Sequence, residues 1–111
     1  MQDNQIQERL AFIGAGNMAE ALVRGLIRAG VSLPERVTMA DVDAGRLAHF
    51  RGTYGVGSAP DNLAAVRAAD VVILAVKPQA LPGVLAEIRG VMEPRHLAIS
   101  IAAGVSLRRL A

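Results

Sequence analysis

The chain contains no cysteine and no tryptophan, and only one tyrosine and two phenylalanines among its 111 residues. Without cysteine there is no disulfide, no thiol nucleophile and no thiolate metal ligand. Scarce aromatics leave the core to Ala, Val, Leu and Ile, a palette that suits helices packed closely on a buried parallel sheet. Charge of one sign is also lacking: 12 Lys and Arg stand against 10 Asp and Glu, a net charge of +2. No basic run and no interleaved aromatics point to nucleic acid, which is excluded as an expected partner. No apolar stretch approaches the ~20 residues needed to span a bilayer, so no membrane association is expected. The polar opening Met1–Glu8 lacks the apolar stretch of a signal peptide and reads as a disordered lead-in. A cytoplasmic protein is the expectation. His49 and His96 are isolated in the sequence and read as surface residues. No metal-ligand cluster, paired carboxylates or nucleophile–base pair can be read, so no metal site is expected.

What the chain does have is apolar content, 52% of its residues, enough for the core of one domain. It also has one informative loop. The short apolar run ending at Ile13 feeds into Gly14-x-Gly16-x-x-Ala19, and an amphipathic pattern follows. About twenty positions further on, an acidic residue, Asp41, closes the next apolar run. This is the layout of a dinucleotide-binding βα turn. Gly14 allows a sharp turn out of the strand. Gly16, without a side chain, lets a pyrophosphate approach the backbone, and Ala19 keeps the helix near the sheet. The helix N-terminus offers free N–H groups and a partial positive charge to the phosphates.

The rest of the chain alternates strands and helices. The pattern predicts a strand over 10–14, a helix over 17–29 on which Ala19, Leu22, Val23, Leu26 and Ile27 recur at helical spacing, and a stop at Gly30. A second strand is expected over 36–40. Asp43 then caps a helix that turns Leu47 and Phe50 to the core. Gly55–Ser58 reads as a short third strand and 62–69 as a short helix. The run Val71–Val76 reads as a central strand buried on both faces. Lys77-Pro78-Gln79 interrupts it, a helix follows over 81–89 with Pro82 in its first turn, and Leu97–Ile101 is the fifth strand. Gly104 ends that strand and Ser106 can cap one more helix. Right-handed crossovers through this order give an α/β fold, a Rossmann-type doubly wound parallel sheet with helices on both faces. Residues 9–111 form that one domain. The carboxyl-edge loops after strands one, two, four and five are where a ligand is expected.

Several side chains at that edge are candidates. Asp41 can accept hydrogen bonds from an adenosine ribose, or it can be a loop acid or helix cap. Facing the ribose, it would repel a 2′-phosphate by roughly 1 kcal/mol in water and up to about 4 at a half-exposed site. Arg46 is near enough in sequence to offset this if it reaches over. Lys77 can donate to a ribose, a phosphate or a substrate carboxylate, or be an exposed lysine after a strand. Asn62 can donate to a cofactor or cap its own helix. By residue type Met18 reads as core.

Three blocks, Phe12-Ile-Gly-Ala-Gly-Asn-Met-Ala19, Ala75-Val-Lys-Pro-Gln79 and Ser100-Ile-Ala-Ala-Gly-Val-Ser-Leu107, together resemble pyrroline-5-carboxylate reductase over its N-terminal domain. The third block discriminates most, because related hydroxyacid and phosphogluconate dehydrogenases lack it. The resemblance implies the last step of proline biosynthesis, hydride transfer from NADPH or NADH to the C=N carbon of 1-pyrroline-5-carboxylate. It implies that Ile13, Gly14, Ala15, Gly16, Asn17 and Met18 cradle the pyrophosphate and that Asn62 contacts the cofactor. It further implies that Ala75, Val76, Lys77 and Pro78 line the nicotinamide side, with Ile101 to Ala103 as the floor of that pocket. Family members commonly use NADPH and carry Ser, Thr or Asn-Arg where this chain has Asp41, and the carboxylate raises NADH. The family continues into an all-helical domain that supplies most of the substrate site and the oligomer interface. That domain is absent here, so the chain reads as truncated. No residue can be named proton donor, and strand five is left as an apolar edge. The other readings are a stand-alone dinucleotide-sensing or interaction module, and another imine or hydroxyacid reductase on the same fold.

Overall fold

Leu10-Ala-Phe-Ile is buried at every position, and alternation along it sends Leu10 and Phe12 into one core and Ala11 and Ile13 into another. This strand, β1 (Leu10–Ile13), is the middle of a five-stranded sheet in the computed structural model, which describes residues 5–101. The other elements follow as α1 (Asn17–Arg28), β2 (Val37–Ala40), α2 (Ala44–Tyr54), β3 (Gly57–Ser58), α3 (Asn62–Arg67), β4 (Val71–Leu74), α4 (Leu81–Ile88) and β5 (Leu97–Ser100). Strand order is β3-β2-β1-β4-β5 and every pairing is parallel. The order reverses between β1 and β4, which sets the switch point of a doubly wound sheet. The expected fold class is the one observed.

One face carries α1 and α2. Ala19 and Val23 of α1 and Phe50 of α2 close over Leu10, Phe12, Val37, Met39 and Ile73. The other face carries α3 and α4, with Ala65, Val66, Leu81 and Ile88 against Ala11, Ile13, Ala40, Val72 and Leu74. Phe50 and Leu47 turn inward as the pattern requires, and Asp43 caps α2 by accepting from the Arg46 N–H at 3.1 Å. Helix α1 closes on Gly30 (φ 69°). Its N–H donates to the Ile27 carbonyl and the Val31 N–H to the Leu26 carbonyl, the paired bonds of a Schellman motif.

Several elements are shorter than their sequence signals. A 3₁₀ turn over Pro34–Arg36 delays β2 to Val37. The third strand keeps only Gly57 and Ser58, because Gly55 (φ 75°) is the left-handed cap of α2 and Val56 is drawn into the core. Strand β4 stops at Leu74, two residues early, where Gly14 crowds against Ala75. Gly104 and Ser106 lie outside the described residues. The expected disordered lead-in does not extend through Ile6 and Gln7. The Ile6 N–H donates to the Val31 carbonyl at 2.8 Å, and Arg36 donates to the Gln7 side-chain oxygen at 2.7 Å.

Strand β5 is an edge of the described sheet, and Leu97 at its start is 55% exposed. Beside it, on the α1 face, runs an apolar groove lined by Leu22, Leu26, Val71, Ile73, Leu97 and Ile99. Its polar rim, Glu8, Asp70 and Arg95, lies at the amino-terminal side of the strands, opposite the edge where the glycine loop sits.

Candidate functional site at the carboxyl edge of the sheet

The glycine loop is wedged between the ends of β2 and β4. Gly14 donates to the Ala40 carbonyl at 2.8 Å, and the Ala75 N–H donates to the Ile13 carbonyl at 2.8 Å. Gly14 has φ 105°, and a Cβ placed on it would lie 2.5 Å from the Ala75 carbonyl oxygen. The first glycine is therefore demanded by the protein itself, through both backbone conformation and contact with β4.

Gly16 is different. It is the N-cap of α1, in ordinary extended backbone (φ −89°, ψ −164°), and a Cβ there would meet nothing within 4 Å. Nothing in the protein requires glycine at this position, and the space above it is open. The helix that starts there has no side-chain cap, so its first N–H groups face that space without an intrahelical partner. An uncapped N-terminus beside open backbone at a switch point is a place for an anionic group. The residues present fit a pyrophosphate. Met18, expected in the core, is 47% exposed at this same helix start, because position two of α1 points away from the sheet.

Asp41 reaches the loop from the end of β2, but as a strut. Its Oδ2 accepts from the Ala15 N–H at 2.7 Å and its Oδ1 from the Asp43 N–H at 2.8 Å. Each carboxylate oxygen retains a second lone pair, so acceptance from a ribose hydroxyl stays geometrically open. Arg46 does not reach over toward a 2′ position. Its Nε donates to the Ala15 carbonyl at 2.7 Å and its Nη2 to Glu20 at 2.8 Å, and its guanidinium lies 5.3 Å from the centre of the Phe50 ring.

Ala75, Val76, Lys77 and Pro78 leave β4 next to the glycine loop. Lys77 is exposed and pairs with no carboxylate among the described residues. Ile101 follows β5 and donates to the Leu74 carbonyl at 3.0 Å, which sets it beside Ala75 in the same row of loops. Ala103 lies outside the described residues. Asn62 is not a helix cap, because Asp61 takes that role by accepting from the Ala64 N–H. The Asn62 amide donates to Glu87 of α4 at 2.8 Å.

The residue that sequence reasoning missed is Glu20. Its carboxylate accepts from Tyr54 Oη at 2.6 Å, meets His49 Nε2 at 2.7 Å and takes Arg46 Nη2. The Tyr54 hydroxyl first, then His49 and Arg46, hold its pKa down at about 2. His49 is accordingly a surface residue but not an isolated one. His96 is tied as well, accepting from the Glu93 N–H and meeting the Val66 carbonyl at 3.0 Å. No signal in the sequence pairs Glu20 with partners 26 to 34 positions away on another helix. No group of three or more metal-ligating side chains occurs among the described residues, and no described helix is long and apolar enough to cross a membrane.

Residues 9–104 match the family described as NADP oxidoreductase, coenzyme F420-dependent. Pyrroline-5-carboxylate reductase of Methanosarcina acetivorans is 42% identical over 100 residues, 90% of this chain and 37% of that protein. The structure of a pyrroline-5-carboxylate reductase from Coxiella burnetii superposes with a TM-score of 0.85 at 36% identity, covering 93% of this chain and 38% of the other. Pyrroline carboxylate reductase of Plasmodium falciparum, solved with NADP bound, shares the fold with a TM-score of 0.80 at 24% identity, over 96% of this chain and 37% of that one. The chain thus spans a little over a third of the length of these relatives.

Proposed function

The chain belongs to the family described as NADP oxidoreductase, coenzyme F420-dependent, and from that premise we propose that residues 9–111 are the nicotinamide-dinucleotide-binding domain of a pyrroline-5-carboxylate reductase. The observation that carries the ligand class is Gly16. The protein has no steric or conformational need of a glycine there, whereas a pyrophosphate lying against the backbone does. Similarity to reductases of one substrate at about 40% identity supports the reaction.

In this reading Ile13 to Met18 line the pyrophosphate, which is held by the free N–H groups at the start of α1 and the positive end of its dipole, since the Gly14 and Ala15 N–H groups are taken by Ala40 and Asp41. Asp41 uses its remaining lone pairs on the ribose, which favours NADH over NADPH. Ala75 to Pro78 and Ile101 border the nicotinamide, with Ala103 beyond them. Asn62, with one amide N–H on Glu87, keeps its other N–H and its carbonyl for the cofactor. The bound dinucleotide supplies a hydride to the C=N carbon of 1-pyrroline-5-carboxylate, giving L-proline in the cytoplasm. Binding of that substrate and oligomerisation are assigned to parts of the protein other than this sheet.

The test is fluorescence titration of the protein that carries this chain with NADH and with NADPH, followed by assay with 1-pyrroline-5-carboxylate. Saturable binding of at least one dinucleotide and oxidation that depends on the imine are expected. Binding of neither dinucleotide contradicts the ligand class. Binding without turnover of this imine contradicts the substrate.

A further inference from the structure

Ala15 is held from both sides. Asp41 accepts its N–H at 2.7 Å, and Arg46 donates through Nε to its carbonyl at 2.7 Å. The Arg46 guanidinium and the Asp41 carboxylate therefore stand on either side of one loop residue, at the β2 edge assigned above to the adenosine ribose. A guanidinium is well suited to a phosphate, since its planar fork can offer two parallel donors. Here the Nε–Nη2 edge of the fork is already in use. Nη2 is bound to Glu20 at 2.8 Å, and the Cζ of the group lies over the Phe50 ring, 5.3 Å from its centre. Glu20 is itself held toward α2 by Tyr54 and His49, and its side chain is only 14% exposed.

We propose that Glu20 is a specificity-determining residue that acts through Arg46. It holds the guanidinium on the glycine loop and so withholds it from a 2′-phosphate placed beside Asp41. Glu20 touches neither dinucleotide. Its effect is to leave Asp41 as the charge that an incoming 2′-phosphate meets, which disfavours NADPH. The inference rests on the dinucleotide reading and adds a residue, on the first helix, that decides between the two dinucleotides.

The test compares NADH and NADPH dissociation constants in Glu20→Gln, Arg46→Gln and the double variant, by fluorescence titration of the protein that carries this chain. Gln keeps the size of the side chain and an acceptor for Tyr54 but loses the charge that fixes Arg46. Glu20→Gln is expected to move the affinity ratio toward NADPH by about two- to fivefold, the scale of an exposed charge pair. Adding Arg46→Gln should remove that gain. Arg46→Gln alone should weaken both dinucleotides together, because the Ala15 carbonyl loses its donor. A purely structural Glu20 would change both affinities in parallel and leave the ratio fixed. Glu20→Asp, which keeps the charge but shortens the reach, carries the same expectation if the Gln variant does not fold. An unchanged ratio in a variant that folds and binds overturns the inference alone. Wild-type protein that binds neither dinucleotide overturns the ligand reading and this inference with it.

Discussion

Two glycines two residues apart stand in the loop for unrelated reasons. Gly14 combines a positive φ with a carbonyl oxygen 2.5 Å from where a Cβ would sit, so any side chain there must push β1 away from β4. Gly14→Ala is expected to cost about 3 kcal/mol, from a strained left-handed backbone and a local overpacking that each contribute 1–3. In a domain of this size that is a fall in Tm of roughly 15 °C, readable by circular dichroism, with or without dinucleotide. A fall of under about 3 °C would show that the loop relaxes freely around a Cβ. Glycine spacing alone made both positions visible in the sequence. Which glycine answers to the protein and which to a ligand was not visible, because that depends on Ala75, 61 residues away, being in contact with one and not the other. Asp41 divides in the same way. Its place at the end of β2 was legible, but its hydrogen bond to the Ala15 N–H requires the two strand ends to be side by side.

At the scale of elements, α1 and α2 are joined over the sheet by more than apolar contact. Glu20 of α1 receives Arg46, His49 and Tyr54, all on α2, while Phe50 between them is fully buried. These hydrogen bonds depress the Glu20 pKa from the ordinary 4.5 to about 2. The ionised carboxylate is thus favoured in the folded state. Its contribution to stability is complete above about 4.5 and is lost as pH falls through about 2. Thermal melts of wild type and Glu20→Gln should differ most at pH 5 to 7, with the wild type more stable, and the gap should narrow as pH falls from about 4.5 toward 2. A gap that does not change with pH would show that the carboxylate charge is not what joins the helices. The two helices themselves were legible from apolar spacing, the Asp43 cap and the stop at Gly30. The join was not, since charged residues on helix surfaces carry no sign of their distant partners. The third strand is shorter than its signal for a related reason: Gly55 marks a turn in either setting, and it is the left-handed cap of α2.

The whole molecule follows from parallel pairing around a central β1. Helices on both faces bury Ala11, Phe12 and Ile13 completely or nearly so, and the order reversal beside β1 opens one edge to the glycine loop. The chain order and composition already implied this sheet and the edge where a ligand sits. They did not show the apolar groove on the α1 face beside β5, which runs along the amino-terminal side and has no part in that edge. The dinucleotide reading turns on the open backbone at Gly16, which the fold itself does not need. The most direct measurement is Gly16→Val in the protein that carries this chain, with circular dichroism and thermal melting run beside NADH and NADPH titration. The Cβ has free space and an allowed backbone, so unfolding should shift by no more than about 1 kcal/mol, the cost of a poorer N-cap. Binding of both dinucleotides should be lost in that folded protein. Affinity retained within about twofold, well under 1 kcal/mol, would mean that no phosphate lies against this loop and that Gly16 serves no dinucleotide.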